Sequence, residues 1–536
     1  MKTRILSVFI LIIFFSNYFS LKAQDDFEKW LKKDQESYNK FLSEEDKQFL
    51  DFLKNNWSQF KLNDANKGDV KPKPEKPPVF TPTPDTKDPL EQFENKIPEA
   101  GKKPTKKVSK PDREKKPEIT EQNKEPENKP AEPSKEITKQ TSPEVKPAPI
   151  KKPEVEVKPV PIKHPEVVPP DYERINYFGE EVALPKLKNI EPIASGNISN
   201  ELISNYWIKL SNSGFKDVLK RALEIKENLI LNDWGYYLLL SDIASETFPG
   251  NLNSQNMLVW FLLNKSGYKA RIVRTETSIF LSIPSKSTFY GVSFVNGADA
   301  SEKSYLFAVN NGQAIPKQFY SYKKDHPEAT KYIDLNLPKI PRLTSLPMKK
   351  ELSFNYLGVT YKVETEYDKG VVDYFEYYPT TELKVYFKAA LSPKIESSMV
   401  KSLAEIIKDK PEPVAANMIL RFVQTAFDYE TDQQNFGREK PLFKDEIVHY
   451  KYSDCEDRAI LFSYLIEELL GLKVIGLDYP GHVCTAVKFK SNIKGDTITY
   501  KNNSYLICDP TYIGSYIGMC MPAYKNKNVE NFIELN

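Results

Sequence analysis

The stretch from Ser453 to Gly471 constrains this chain more than any other. It opens Ser453-Asp454-Cys455-Glu456-Asp457-Arg458-Ala459 and continues through Ile460, Leu461, Phe462, Tyr464, Leu465, Ile466, Leu469 and Leu470. On a helix those apolar residues fall on every side, and a helix that is apolar all round is buried. Asp454 has the chemistry of an N-cap, Glu456 and Asp457 place acid in the first turn, and Gly471 supplies the stop. The stretch therefore predicts a core helix that begins with a cysteine. A thiol at the positive end of a helix loses its proton more easily. Cys455 reads as a nucleophile aimed into a cavity.

Behind Gly471 the pattern changes to strands, predicted at Lys473–Asp478, His482–Phe489 and Ser504–Asp509, with a turn at Tyr479-Pro480-Gly481. His482 opens one strand and Asp509 closes a later one. A thiol nucleophile needs a base within hydrogen-bond reach, and the base needs a third group to hold its tautomer. One helix start and two adjacent strands bring Cys455, His482 and Asp509 together economically. Side chains two apart on a strand share a face. His482 and Cys484 then face one side and Cys508 the other, so Cys484 and Cys508 are not expected to form a disulfide.

These residues carry a resemblance. Asp454-Cys455-Glu456-Asp457-Arg458 before a buried helix, then Gly481-His482, then Cys508-Asp509-Pro510-Thr511, resembles the transglutaminase-like superfamily over roughly residues 395–536. The resemblance implies a papain-like fold, in which a central helix presents Cys455 against an antiparallel sheet carrying His482 and Asp509. It implies a cysteine protease, an amidase or an acyltransferase working through an acyl-thioester; a protein, a peptidoglycan stem peptide and an amide cross-link all fit as substrate. Hydrolysis and transfer to an amine stay open. The sequence departs from relatives at Cys484, where an aromatic residue is common, and has no calcium-loop signature, so neither a metal nor another cofactor is implied. The oxyanion needs the Cys455 amide and one more donor. In papain-like folds that donor precedes the nucleophile helix, which singles out Asn435 or Gln434, with Tyr452 as the alternative. Asp457 and Arg458 read as a structural ion pair, and His164, His326 and His449 as structural or solvated.

The rest of the chain sets the context. Lys2 and Arg4 before the apolar run Ile5–Phe19, with Ala23 as a small residue for cleavage, read as a secretory signal peptide over 1–23. No cysteine follows the cleavage point, so a lipoprotein is not expected, and no later run is long enough to span a bilayer. The expected location is periplasmic or secreted. A formal net charge of +2 gives no basic field for nucleic acid. Over 24–64, Phe27, Tyr38, Phe49 and Phe60 recur every 11 residues, as do Trp30, Phe41, Phe52 and Leu31, Leu42, Leu53. That period keeps one stripe straight along a helix, a coiled-coil-like pattern. The aromatic stripe covers part of its own chain, or docks on a protein partner or a second copy, or lies on a membrane surface, which a polar face of mixed acid and base disfavours. Residues 65–170, rich in Pro, Lys and Glu, cannot bury enough apolar surface to fold and read as a disordered linker.

Folded sequence resumes at 171. Residues 171–345 predict an α+β domain with a nearly all-apolar helix at Ser254–Lys265 and strands at Ala270–Arg274, Ser278–Ile283, Tyr290–Val295 and Ser304–Val309. Lys303–Asn310 echoes Asn503–Pro510, and Asn253-Ser254-Gln255-Asn256 stands where Asp454-Cys455-Glu456-Asp457 would. This domain reads either as a degenerate copy, with Ser254 and Val309 in place of cysteine and aspartate and no histidine in the strand at Ser278–Ile283, or as an unrelated α+β domain. Residues 346–393 predict a small antiparallel unit turning at Asp368-Lys369-Gly370, and 394–536 the catalytic domain. The competing reading of the whole chain is a non-catalytic envelope scaffold that binds partners through the aromatic helix and the two modules.

Overall fold

The computed structural model describes residues 44–63, 76, 78–81, 90, 169–296, 302–307 and 318–535. The expected leader, the first part of the 11-residue repeat, most of the proline-rich tract, His164 and Val309 lie outside them. The described residues form an α+β structure of mixed helices and antiparallel sheets. Among them no helix is long and apolar enough to cross a membrane.

Two units share one architecture. In the first, the buried helix Leu252–Lys265 is followed by five strands: Arg271–Arg274, Ile279–Ser285, Phe294–Asn296, Lys303–Phe307 and Gln318–Ser321. In the second, the buried helix Cys455–Leu470 is followed by Lys473–Tyr479, His482–Lys488, Thr497–Tyr500, Asn503–Cys508 and Asn531–Glu534. Counted from the helix, the spatial order in both sheets is fifth, first, second, fourth, third, antiparallel throughout. Each helix packs on the first and second strands of its own sheet. The predicted echo between 171–345 and the C-terminal region therefore extends to topology.

The first sheet carries one strand more. Residues 58–61 pair antiparallel with Gln318–Ser321, Ser58 opposite Ser321 and Lys61 opposite Gln318. Two residues on, the Asn63 amide donates to Phe294 O on the opposite edge of the sheet (2.9 Å). This strap closes the first sheet into a near-barrel, whereas the second remains a half-barrel. The expectation of one helix over 24–64 is thus corrected at its C-terminal end. Helix 44–55 stops, and Ser58–Lys61 is a strand because the sheet edge offers backbone partners that the local sequence cannot reveal.

The strap is held by apolar contact and charge. Phe49 and Leu53 are fully buried, and the Phe49 ring meets Trp207, Trp260, Tyr322 and His326. Of the readings of the aromatic stripe, its described part fits the first: it covers its own chain. Asp46 accepts from Lys265 Nζ (2.6 Å), His326 Nε2 (3.0 Å) and Trp207 Nε1 (3.3 Å). Burial holds His326 below its ordinary value. Burial alone would raise Asp46, but the His326 hydrogen bond and the Lys265 ammonium bring it below the usual carboxylate range.

A pH dependence follows. Because the folded pKa of His326 is depressed, the unfolded chain binds its proton first, so that contribution is present above about 6.5 and fades as pH falls below it. Asp46, also depressed, loses its contribution only below about 4. The urea midpoint should fall between pH 7 and 5, and His326→Gln should flatten that slope; an unchanged slope would refute it. Asp46→Ala should cost about 3 kcal/mol at neutral pH, because Lys265 is left buried without its partner.

Part of the expected linker is also ordered against the body. Phe80 N donates to Ile513 O (2.8 Å) and Ile513 N to Pro78 O (2.9 Å), and the Phe80 ring meets Tyr512 edge-on. Between the units, the expected antiparallel region is only half sheet. Pro347–Tyr356 and Val359–Asp368 form a hairpin turning at Leu357-Gly358, and Asp368 stands at the N-cap of helix Lys369–Glu376. The helix Leu383–Phe387 follows, its last carbonyls held by the buried Lys444 ammonium, which reaches Tyr386 O, Phe387 O and Ala389 O. Near the start of the first unit, Tyr172–Tyr177 and Glu180–Pro185 form a hairpin, turning at Phe178 and Gly179, which both take positive φ.

Candidate active site

The helix Cys455–Leu470 begins where its sequence indicates. Asp457 Oδ2 accepts from the Asp454 amide (3.2 Å) and Oδ1 from the Leu442 amide (2.7 Å), so the first turn is tied to the segment before it. Gly471 ends the helix in the left-handed region at φ 62°. Arg458, expected in a structural pair with Asp457, points inward and donates to Ser453 Oγ (3.2 Å), Gln424 O (3.2 Å) and Phe427 O (2.8 Å). Burial lowers its pKa to about 10, against the pull of Tyr429, Asp454 and Asp457.

His482 and Asp509 meet. His482 Nε2 lies 2.9 Å from Asp509 Oδ2, with both side chains buried. The other carboxylate oxygen, Oδ1, accepts from the amides of Thr511 (2.9 Å) and Tyr512 (3.3 Å). Asp509 is thus both a turn former and the orienting group of the imidazole. The Tyr524 ring lies over His482 at 4.7 Å, and Gln424 Nε2 reaches Asp509 O (3.3 Å) and Tyr512 O (2.8 Å), tying down the loop that carries the carboxylate. Sequence reasoning missed Tyr524 and Gln424; neither lies in a local motif.

His482 Nδ1 is buried and has no hydrogen-bond partner among the described residues. With Nε2 given to Asp509, Nδ1 is the nitrogen left for a thiol. Cys455 and His482 line one cavity of about 400 Å³, together with Glu456, Asp478 and Gly481, residues 380–384 and 531–533, Glu439, Pro441 and Tyr290 of the first unit. The thiol itself donates to Glu456 Oε2 at 3.1 Å. The central helix packs on the Val483 and Val487 face of the strand, while Cys484 and Ala486 belong to a second apolar cluster on the other face. His482 shares the Cys484 face, but as the first residue of the strand it reaches the cavity around the strand end.

The remaining candidates are placed elsewhere. Gln434 caps the short helix Asp432–Asn435, its Oε1 accepting from Thr431 N (3.1 Å). Neither Gln434 nor Asn435 lines the cavity, nor does Tyr452. All four cysteines are free thiols, and Cys484 and Cys508 lie in different apolar clusters, as the strand alternation requires. Burial pushes Cys484 and Cys508 well up and Cys520 up to about 12. His449 Nδ1 pairs with Tyr367 Oη (3.0 Å), a structural contact. The second strand after the central helix opens on Ile279 in the first unit where it opens on His482 in the second, and Ser254 Oγ accepts from the Ile193 amide (2.7 Å).

The fold and site thus define an α+β protein with a near-barrel, a half-barrel and a buried histidine–carboxylate pair facing the cavity that a helix-terminal cysteine borders. No family model, curated protein or solved structure matches the chain.

Proposed function

We propose that the C-terminal unit is a cysteine hydrolase or acyltransferase of transglutaminase-like type that acts on an amide of a peptide or protein. The observation that carries this reading is the buried His482–Asp509 pair, which leaves Nδ1 open beside a cavity that Cys455 also borders. The thiol turns from Glu456 to His482, Nδ1 takes its proton, and Sγ attacks the amide carbonyl carbon. The same proton goes to the leaving amine as the C–N bond breaks, and an acyl-thioester forms. Water or a second amine, deprotonated by His482, then attacks the thioester; an acid or a new amide leaves and the thiol is restored. The Cys455 amide at the helix start is a donor for the oxyanion. Asp509 keeps the ring in one orientation throughout.

The test is alkylation of the purified protein with an alkyne-bearing iodoacetamide at pH 7, followed by peptide mapping. Cys455, buried like the other three but alone among them in lining the cavity, should carry the label long before Cys484, Cys508 and Cys520. Label that accumulates first on Cys520, or evenly on all four, would defeat the reading.

A further inference from the structure

The two units differ at one equivalent place. In the first, the fifth strand, Gln318–Ser321, has its outer edge covered by residues 58–61. In the second, the fifth strand, Asn531–Glu534, pairs with Lys473–Tyr479 on one side and is the end of its sheet among the described residues. The open side of this half-barrel is bridged by side chains: the rings of Phe532 and Tyr500 stack at 4.5 Å, and Lys501 pairs with Glu534. A free sheet edge presents a row of backbone donors and acceptors to any extended chain. This one leads into the candidate active site, since Asn531, Phe532 and Ile533 line the same cavity as Cys455 and His482.

We propose that the catalytic unit takes its peptide substrate as an added antiparallel strand along Asn531–Glu534, in the place that residues 58–61 occupy in the first unit. The proposal rests on the reading of Cys455 as a nucleophile and adds how the substrate is held. Its direction follows from the pairing. Asn531 lies opposite Asp478, next to the turn that carries Gly481 and His482, and Glu534 lies further away opposite Ile475. An antiparallel newcomer runs from the Glu534 end to the Asn531 end, so its C-terminal part enters the cavity. The residues recognised are those on the N-terminal side of the reacting carbonyl. Main-chain hydrogen bonds supply affinity with little demand on sequence, and the Phe532–Tyr500 ring pair parts to admit the strand. The first unit does not compete for the same peptide, because its own chain fills the equivalent edge.

The experiment uses the full chain with Cys455→Ala, so that binding is read without turnover. The probe is a fluorescein-labelled peptide of alternating valine and threonine ending in glutamine amide, with two variants N-methylated on one or the other alternate set of amides. Binding is followed by anisotropy, and amide hydrogen exchange reports where the peptide lies. One methylated variant should bind at least tenfold more weakly than the parent while the other binds nearly as well, because an edge uses alternate backbone groups. Exchange should slow at 531–534. Equal binding of all three peptides, no binding at all, or protection elsewhere would overturn the proposal. Iodoacetamide labelling of the unaltered protein runs beside it. A peptide that docks on 531–534 while Cys455 stays inert would refute the catalytic reading and leave the docking edge standing.

Discussion

His482→Ala should slow alkylation of Cys455 by about 30-fold at pH 7. Once its proton has passed to His482 Nδ1 in the proposed mechanism, the helix terminus favours the thiolate and Cys455 is expected to react as a thiolate at neutral pH. Without the ring it should titrate nearer the ordinary cysteine value of about 8.5, where only a few per cent is thiolate at pH 7. At pH 6 the gap should widen to about 300-fold, because the wild-type rate stays flat while the variant loses thiolate with every pH unit. Asp509→Ala should cost far less in alkylation and far more in turnover, about 10²- to 10⁴-fold, since the carboxylate acts by holding the ring at Nε2. Rates are read site by site from peptide masses across pH 5 to 9. A wild-type Cys455 that titrates near 8.5, or a His482→Ala variant with an unchanged profile, would remove the base from the mechanism.

Arg458→Ala should be the most destabilising single change in the site region, by about 4 kcal/mol. The side chain is buried, and it gathers Gln424 O, Phe427 O and Ser453 Oγ around the base of the central helix. Removing it leaves two carbonyls and a hydroxyl without that donor and opens a large void, and each unsatisfied group costs about 1–3 kcal/mol. Arg458→Met fills the void but not the hydrogen bonds and should recover about half. Urea denaturation gives both values. If the alanine variant lost less than about 1 kcal/mol, the guanidinium would not be organising this region.

The central helix was legible because its signals are local. Asp454, the all-round apolar run and Gly471 lie within one stretch, and the helix spans Cys455–Leu470. His482 and Asp509 were legible for a related reason: each sits at the end of a strand that its own β-branched and aromatic neighbours announce. The likeness of the two units was legible only as the echo of Lys303–Asn310 with Asn503–Pro510 and of the two buried helices, whereas the strands Gln318–Ser321 and Thr497–Tyr500 were not foreseen. Other features depend on partners far away in sequence. Ser58–Lys61 carries one aromatic among polar residues and becomes a strand only because Gln318–Ser321 offers an edge. Asn531–Glu534 is equally short, with Ile533 its one buried residue. Asp368-Lys369-Gly370 has the composition of a hairpin turn, yet the same residues start a helix, since an N-cap and a turn favour the same side chains. For the oxyanion, family analogy pointed to amides before the nucleophile, and Gln434 is used by a helix cap.

The strap has a consequence for the order in which the molecule can be completed. Gln59 Nε2 donates to Gln318 Oε1, 259 positions away, on neighbouring strands of the first sheet, and Phe80 bonds to Ile513 near the other end of the chain. On a ribosome the first of these segments emerges early and its seat emerges late. Until residue 321 has been made, the closing strand 58–61 has no partner, and Phe80 waits for nearly the whole polypeptide. Contacts of such separation are slow to form, and unpaired edges are exposed while they wait. Nascent chains stopped between residues 321 and 513 should therefore hold the first unit closed and resistant to protease while the second remains open to it. The candidate active site would then be assembled last, after the near-barrel whose strand order it shares.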